Sequence, residues 1–307
     1  MPFIIPAGWA KPTYDFSKNP LTKEGFELGR HLFYDPILSR DNTISCASCH
    51  LQATGFTHVD HDLSHGIDGK IGTRNSMTIM NVAWSKNFMW DGGVNHLDVQ
   101  PLAPLSNSVE MDENLAHIVK KLNSSTKYKT LFYKAFNDSL VTGQRMLLAF
   151  SQFIVQLNSF NSKYDKYVRH EVGGEFNEQE INGLRLFRTH CASCHTEPLF
   201  TNNDFEKNGI SIDSTLNDLG RFNITQNPSD SLKFKVPTLR NIQFTFPYMH
   251  DGRFKKLREV MNHYATTDKL KKPIVLTSTE KTDIIAFLLT LTDNEFLFDR
   301  RFGFPRE

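Results

Sequence analysis

Apolar residues along the chain recur at intervals of three and four far more often than they alternate, the spacing of helices with one buried face. Met146, Phe150, Phe153, Ile154 and Leu157 mark one such face, and Ile284, Ile285, Phe287, Leu288 and Leu291 mark another, in a helix predicted from about Thr279 to Leu291 after Pro273. Thr22 opens a helical segment ending near Tyr34, and Asn177-Glu178-Gln179-Glu180 reads as a capping box with Asn at the cap. Strand signals are few and short. The stretches Gln52 to Lys70 and Thr201 to Leu232 are rich in Gly, Asn, Asp and Ser and read as loops. Polar residues from Asn158 to Gly174 interrupt the helical pattern, so the boundary of two domains, 1–165 and 166–307, is set there.

Composition narrows the classes. With 307 residues, 39% of them hydrophobic, each half can bury a core of its own. Lys+Arg 35 against Asp+Glu 34 gives a net charge of +1 without any block of one sign, which excludes a sequence-independent nucleic-acid binder. The longest apolar run, Ile284 to Leu289, falls far short of the ~18 residues a membrane span needs, and Met1-Pro2-Phe3 lacks the basic start of a secretion signal. A soluble mature chain is expected, with Met1 an expression start placed where a leader was removed.

Cysteine usage changes the picture most. The four cysteines fall in two identical pentapeptides, Cys46-Ala47-Ser48-Cys49-His50 and Cys191-Ala192-Ser193-Cys194-His195. C-x-x-C-H is the signature of covalent c-type haem attachment: two thiols three apart on one turn reach the two vinyl groups, and the next His offers nitrogen to iron. A thioredoxin-like pair does not need that His twice, a zinc site wants its ligands converging on one metal, and two disulfides would share the exported compartment but carry no cofactor. Gly29-Arg30-His31-Leu32-Phe33 and Gly183-Leu184-Arg185-Leu186-Phe187 precede the motifs in matching order. Downstream, Asn81 precedes Trp90-Asp91-Gly92 by the interval that separates Asn241 from His250-Asp251-Gly252. An internal duplication follows: a mostly α fold of two cytochrome c-like domains, each with one covalent haem.

These features, with Leu28 to Pro36, Thr73-Arg74-Asn75-Ser76, Phe88 to Gly92, Ser108-Val109-Glu110-Met111, Phe234 to Asn241 and Pro247 to Gly252, resemble the bacterial di-haem cytochrome c peroxidases and their MauG relatives over nearly the whole chain. The resemblance implies that the haem at His50 is peroxidatic and that the haem at His195 feeds it electrons. It makes Glu110, otherwise a solvated carboxylate, the acid/base that assists O–O cleavage, with Gln100 and Pro104 in the same distal pocket. Trp90, on composition a core aromatic, becomes the bridge between the haems. His65 matches a removable ligand of the peroxidatic iron, with His58 and His61 as competitors. Tyr264 stands where the peroxidase branch carries Met and MauG carries Tyr, with Met261 and His263 close by. Asn75 with the carbonyls of Lys235 and Pro237 matches a calcium site. Arg74 and Arg240 are candidates for pairing with haem propionates.

The implied activity is peroxide-driven oxidation, with hydrogen peroxide as oxidant and electrons from a small periplasmic cytochrome c or cupredoxin. One alternative is a MauG-like oxidation of Trp or Tyr on a partner protein. The other is a di-haem carrier without chemistry of its own. An exported, periplasmic protein is implied, and a homodimer is expected from the family alone.

Overall fold

In a computed structural model, residues 2–270 and 272–306 are described; Met1, on which the expectation of a removed leader rests, lies outside them. The fold is mostly helical. Helix α1 (Lys23–Tyr34) is followed by the single turn α2 (Cys46–Cys49), then α3 (Leu102–Ser106), α4 (Leu115–Ser124), α5 (Thr126–Phe136) and α6 (Gly143–Ile154). The remaining helices are α7 (Lys163–Val168), α8 (Glu178–His190), α9 (Phe222–Thr225), α10 (Leu257–Thr266), α11 (Ser278–Leu289) and α12 (Asn294–Leu297). The strands β1 (Phe205–Lys207) and β2 (Lys233–Lys235) form one antiparallel ribbon in which Phe205 faces Lys235.

Thr22 and Asn177, read from the sequence, start their helices: the Thr22 hydroxyl accepts from Gly25 N at 2.9 Å, and Asn177 and Glu180 form the reciprocal box. Helix α11 begins at Ser278, capped by Thr277 with Glu280, one residue before the Thr279 expected. Helix α6 stops three residues before Leu157, yet Leu157 is fully buried. The chain tightens there into i→i+3 bonds, Gln156 N to Phe153 O and Leu157 N to Ile154 O, each 3.1 Å, which carry the apolar stripe one turn further.

Apolar burial divides into two clusters. The first gathers α1, α4, α5 and α6 around Phe33, Phe56, Phe132, Phe150 and Phe153; the second gathers α8, α10 and α11 around Phe187, Phe200, Ile284 and Phe287. Each is built on one helix pair in close contact at a glycine. A Cβ at Gly29 would lie 2.0 Å from the Ala149 carbonyl oxygen of α6, and one at Gly183 would lie 1.9 Å from the Asp283 carbonyl oxygen of α11. Neither backbone oxygen can move away alone. Gly183→Ala is therefore expected to destabilise the protein by about 1–3 kcal/mol through overpacking, despite alanine's higher helix propensity; an unchanged urea midpoint would contradict this contact.

The polar segment after α6 is turned inward at its start, where Ser159, Ser162, Tyr164 and Asp165 are buried, and open from Val168 to Gly173 apart from Arg169. Asn81 and Asn241 both adopt positive φ, 56° and 55°, and both close onto it: Asn81 Oδ1 accepts from Ser159 N at 2.9 Å, and Asn241 Nδ2 donates to Ser159 Oγ at 3.0 Å. Asp293 accepts from Ser159 Oγ, Phe160 N and Asn161 N at 2.9–3.0 Å. Beyond it, Phe296, Leu297 and Phe302 return to the first cluster. Among the described residues no helix is long and apolar enough to cross a membrane.

Candidate active site

The two pentapeptides adopt matching geometry. His50 N donates to Cys46 O at 3.0 Å and His195 N to Cys191 O at 2.9 Å, which turns each imidazole inward beside its two thiols. His50 Nδ1 donates to the Phe56 carbonyl at 2.9 Å, and His195 Nδ1 to the Phe200 carbonyl at 3.1 Å. Each bond fixes the tautomer and leaves Nε2 with its lone pair free, as an iron ligand requires. Burial pushes both imidazoles below their ordinary pKa, so they are neutral. It pushes the Cys46 and Cys191 thiols up to about 12, and no disulfide joins the four free cysteines. Neutral vicinal thiols beside an imidazole of fixed tautomer fit covalent haem c at both motifs.

Around the second motif lies a cavity of about 640 Å³ lined by Cys191, Cys194 and His195 on one side and by α10 on the other. Leu257, Val260, Met261 and Tyr264 share the face of α10 that borders it. Burial raises the Tyr264 phenol above its ordinary pKa, and the two neighbouring cysteines add to the effect. His263 is turned aside, with Nε2 bonded to the Asn208 carbonyl at 2.8 Å, whereas Met249 also borders the cavity.

At the first motif, Glu110 lies close enough to Cys46 and Cys49 for its charge to raise both thiols. Burial raises its own pKa above the carboxylate range, opposed only by Asn107 Nδ2, which donates to Oε1 at 2.9 Å. The loop bearing His65 is clamped over this residue. Cys49 Sγ donates to the His65 carbonyl at 3.3 Å, Ile67 N donates to the Glu110 carbonyl at 2.8 Å, and a Cβ at Gly66 would meet Glu110 Cα at 2.5 Å. His58, His61 and His65 form one cluster, with ring centres 4.0 Å apart for His61 and His65 and 5.0 Å for His58 and His61. Gln100 donates through Nε2 to the Met89 sulfur at 3.7 Å, and the Pro104 carbonyl in α3 accepts from Met111 N at 3.3 Å.

Between the motifs, the buried Trp90 borders the cavity, donates Nε1–H to the Asn75 carbonyl at 2.8 Å and accepts Lys235 N at 2.7 Å. The Asn75 amide meets the carbonyls of Pro247 at 2.5 Å and Met249 at 3.4 Å. Lys235 is held in β2 against β1, and the Pro237 carbonyl faces the His195 imidazole, whose pKa it raises. Arg74 and Arg240 are both held in ion pairs. Arg74 binds Asp218 through Nε (2.6 Å) and Nη2 (2.9 Å) and Asp91 through Nη1 (2.6 Å), and Arg240 binds Asp165 twice at 2.8 Å.

The sequence reading missed the Lys235 side chain, the Pro247 carbonyl and the buried His250, which stacks on Phe234 at 3.6 Å with Nδ1 unpartnered. The matching turns Met89-Trp90-Asp91-Gly92 and Met249-His250-Asp251-Gly252, with positive φ at both methionines, were the signal that could have drawn attention to the last two.

The family described as di-haem cytochrome c peroxidase matches residues 23–173. The chain is 33% identical to the cytochrome c551 peroxidase of Nitrosomonas europaea, over 88% of this chain and 80% of that protein. It is 31% identical to the methylamine utilization protein MauG of Methylorubrum extorquens, over 89% and 79%. Among solved structures it is similar to a MauG-like protein associated with microbial copper homeostasis, with a TM-score of 0.90 and 30% identity over 99% of both chains. The diheme peroxidase BthA from Burkholderia thailandensis shares the fold, with a TM-score of 0.79 at 21% identity over 94% of this chain and 91% of that one.

Proposed function

The chain belongs to the family of di-haem cytochrome c peroxidases and MauG proteins and is an oxidoreductase of that family; from this premise we propose that it carries out peroxide-driven oxidation at the haem held by Cys46, Cys49 and His50. The observation that carries the proposal is the place of Glu110, a half-buried carboxyl bonded by Asn107 beneath the loop that carries His65 and beside that motif, where burial raises its pKa. Bound at the two motifs, the haems supply the iron that takes up peroxide and a store for its two oxidising equivalents. Glu110 removes the proton from the near oxygen of peroxide and returns it to the far oxygen, so that water leaves instead of hydroxide. Gln100 and Pro104 shape the same pocket. His65 would be a removable ligand to the iron held at the first motif. Trp90 would stand between the two haems of the duplicated halves 1–165 and 166–307, and its bond to the Asn75 carbonyl fixes the indole.

Calcium belongs to the same reading: Asn75 with the carbonyls of Lys235 and Pro237 would hold it, oxygen ligands suited to a hard cation. The protein works in the periplasm, taking electrons from a small cytochrome c or cupredoxin, and forms a homodimer.

Tyr264 favours a second reading, oxidation of Trp or Tyr on a partner protein as in MauG. A phenolate oxygen is a hard anionic ligand that stabilises ferric and higher states, where a thioether would stabilise ferrous. The test is the optical and EPR spectrum of the ferric holoprotein before and after one equivalent of peroxide, with and without one-electron reduction. Direct reaction of the ferric form supports the MauG-like reading; reaction only after half-reduction supports a cytochrome c peroxidase gated by His65; inertness in both states leaves an electron carrier. Tyr264→Met is expected to raise the midpoint of the C-terminal haem by about 0.1 V or more and to abolish direct reaction of the ferric form. An unchanged midpoint would show that Tyr264 is not the ligand.

A further inference from the structure

Among the described residues, Lys235 is a buried cation with no carboxylate in ion-pair contact. The residue is 8% exposed, it borders the cavity of the second motif, and its Nζ has one hydrogen-bond partner among the described residues, the Ser85 hydroxyl at 3.2 Å. That hydroxyl donates its own proton to Asn203 Oδ1 at 3.1 Å, so it meets the ammonium as an acceptor. An ammonium carries three donors, and the other two have no protein acceptor. Leaving a charge in this state is costly, and folded proteins avoid it by pairing the group with an opposite charge.

The other cations turned inward near the site already have carboxylate partners: Arg74 pairs with Asp91 and Asp218, and the buried Arg240 with Asp165. Lys207 and Lys272 also border the cavity, but both are exposed to solvent and need no partner. The same cavity contains Cys191, Cys194 and His195, which fit a haem c, and haem carries two propionates. We propose that Lys235 is a cofactor-binding residue, its ammonium the counter-ion of a propionate of the C-terminal haem. The proposal rests on the reading that the second motif carries a haem, and it transfers to Lys235 a role that neither Arg74 nor Arg240 is free to play. Because Lys235 N also bonds the Trp90 carbonyl, the same residue ties the propionate edge to the backbone of the bridging indole.

A fixed positive charge favours ferrous over ferric haem, since ferric carries one more positive charge. At about 10 Å and an effective dielectric of about 20, removing it shifts the equilibrium about tenfold. The experiment is spectroelectrochemical titration of the holoprotein, with covalent haem counted first. Two haems per wild-type chain uphold the premise; a chain without the second haem overturns both the premise and the proposal. With both haems present, Lys235→Gln is expected to lower the midpoint of the C-terminal haem by about tenfold in the ferric-to-ferrous ratio, about 59 mV for a one-electron couple. The N-terminal midpoint should hold, Lys235→Arg should restore most of the loss, and Lys129→Gln, which removes an equal charge from an exposed position on α5 outside the cavity, should change nothing. An unchanged C-terminal midpoint in Lys235→Gln, or an equal fall in Lys129→Gln, overturns the proposal while leaving the haem reading intact. Should the Gln variant fail to mature, the crystal structure of the wild-type holoprotein decides: Nζ in contact with a propionate oxygen upholds it, and Nζ directed away from both propionates overturns it.

Discussion

Glu110→Gln is expected to retain both haems and to lose peroxide turnover by about 10²–10⁴-fold, the range a positioned acid/base contributes. The substitution keeps the shape of the side chain and the acceptor oxygen that Asn107 Nδ2 bonds at 2.9 Å, so the pocket is preserved while the transferable proton is removed. The pH dependence separates this from a packing effect. Burial raises the Glu110 pKa, so the acid limb of the wild-type kcat/KM profile should lie above the ordinary glutamate range and disappear in the Gln variant. The stability sign is the reverse of the usual carboxylate case. A folded-state pKa above the unfolded value means that the folded protein binds more protons between the two, so stability is full below the unfolded pKa and falls as pH rises through the folded one. Glu110→Gln should remove that fall and leave the protein at least as stable as wild type above neutrality. Full turnover in this variant would remove Glu110 from the mechanism, whatever its stability.

The parts of the molecule written locally were legible in the sequence. Haem attachment needs only neighbours on one turn, and the caps at Thr22 and Asn177 lie within three residues of their partners. Helices α4 and α5 carried a weaker signal, since only Ile118, Leu122, Tyr128 and Phe132 are fully buried along them and their other apolar residues are at most partly buried. What is decided by backbone atoms or by distant charges was not legible. A carbonyl has no residue signature, so the Pro247 oxygen that meets the Asn75 amide could not be read. The partners of Arg74 and Arg240, Asp218 and Asp165, lie 144 and 75 residues away. The burial of the Lys235 side chain is visible only in the fold, since lysine is almost never fully buried.

Asp165→Ala is expected to destabilise the protein by about 3–5 kcal/mol, because it leaves the Arg240 guanidinium buried without its charge partner. The Arg240 side chain is 0% exposed. It gives Nη1 and Nη2 to the two Asp165 oxygens, and Nε and Nη2 to the Pro198 carbonyl at 2.9 and 2.7 Å. Asp165 in turn accepts Ser162 N at 2.9 Å and caps α7, so the substitution also loosens that helix. Replacing both charges, as in Asp165→Leu with Arg240→Met, should cost less than the single change, since an apolar pair leaves no uncompensated charge. Burial alone would raise the Asp165 pKa, but the bonds and charge of Arg240, with Ser162, hold it below the ordinary aspartate range. A depressed folded pKa contributes stability above the unfolded value of about 3.9 that is lost as pH falls through the folded one, so the difference between wild type and variant should shrink in acid. Urea unfolding at pH 7 and pH 3 checks both statements, and a destabilisation independent of pH would show that the ion pair is not its source. The loss should be felt first at the second haem, because the Pro198 carbonyl held by Arg240 lies two residues before the Phe200 carbonyl that orients His195.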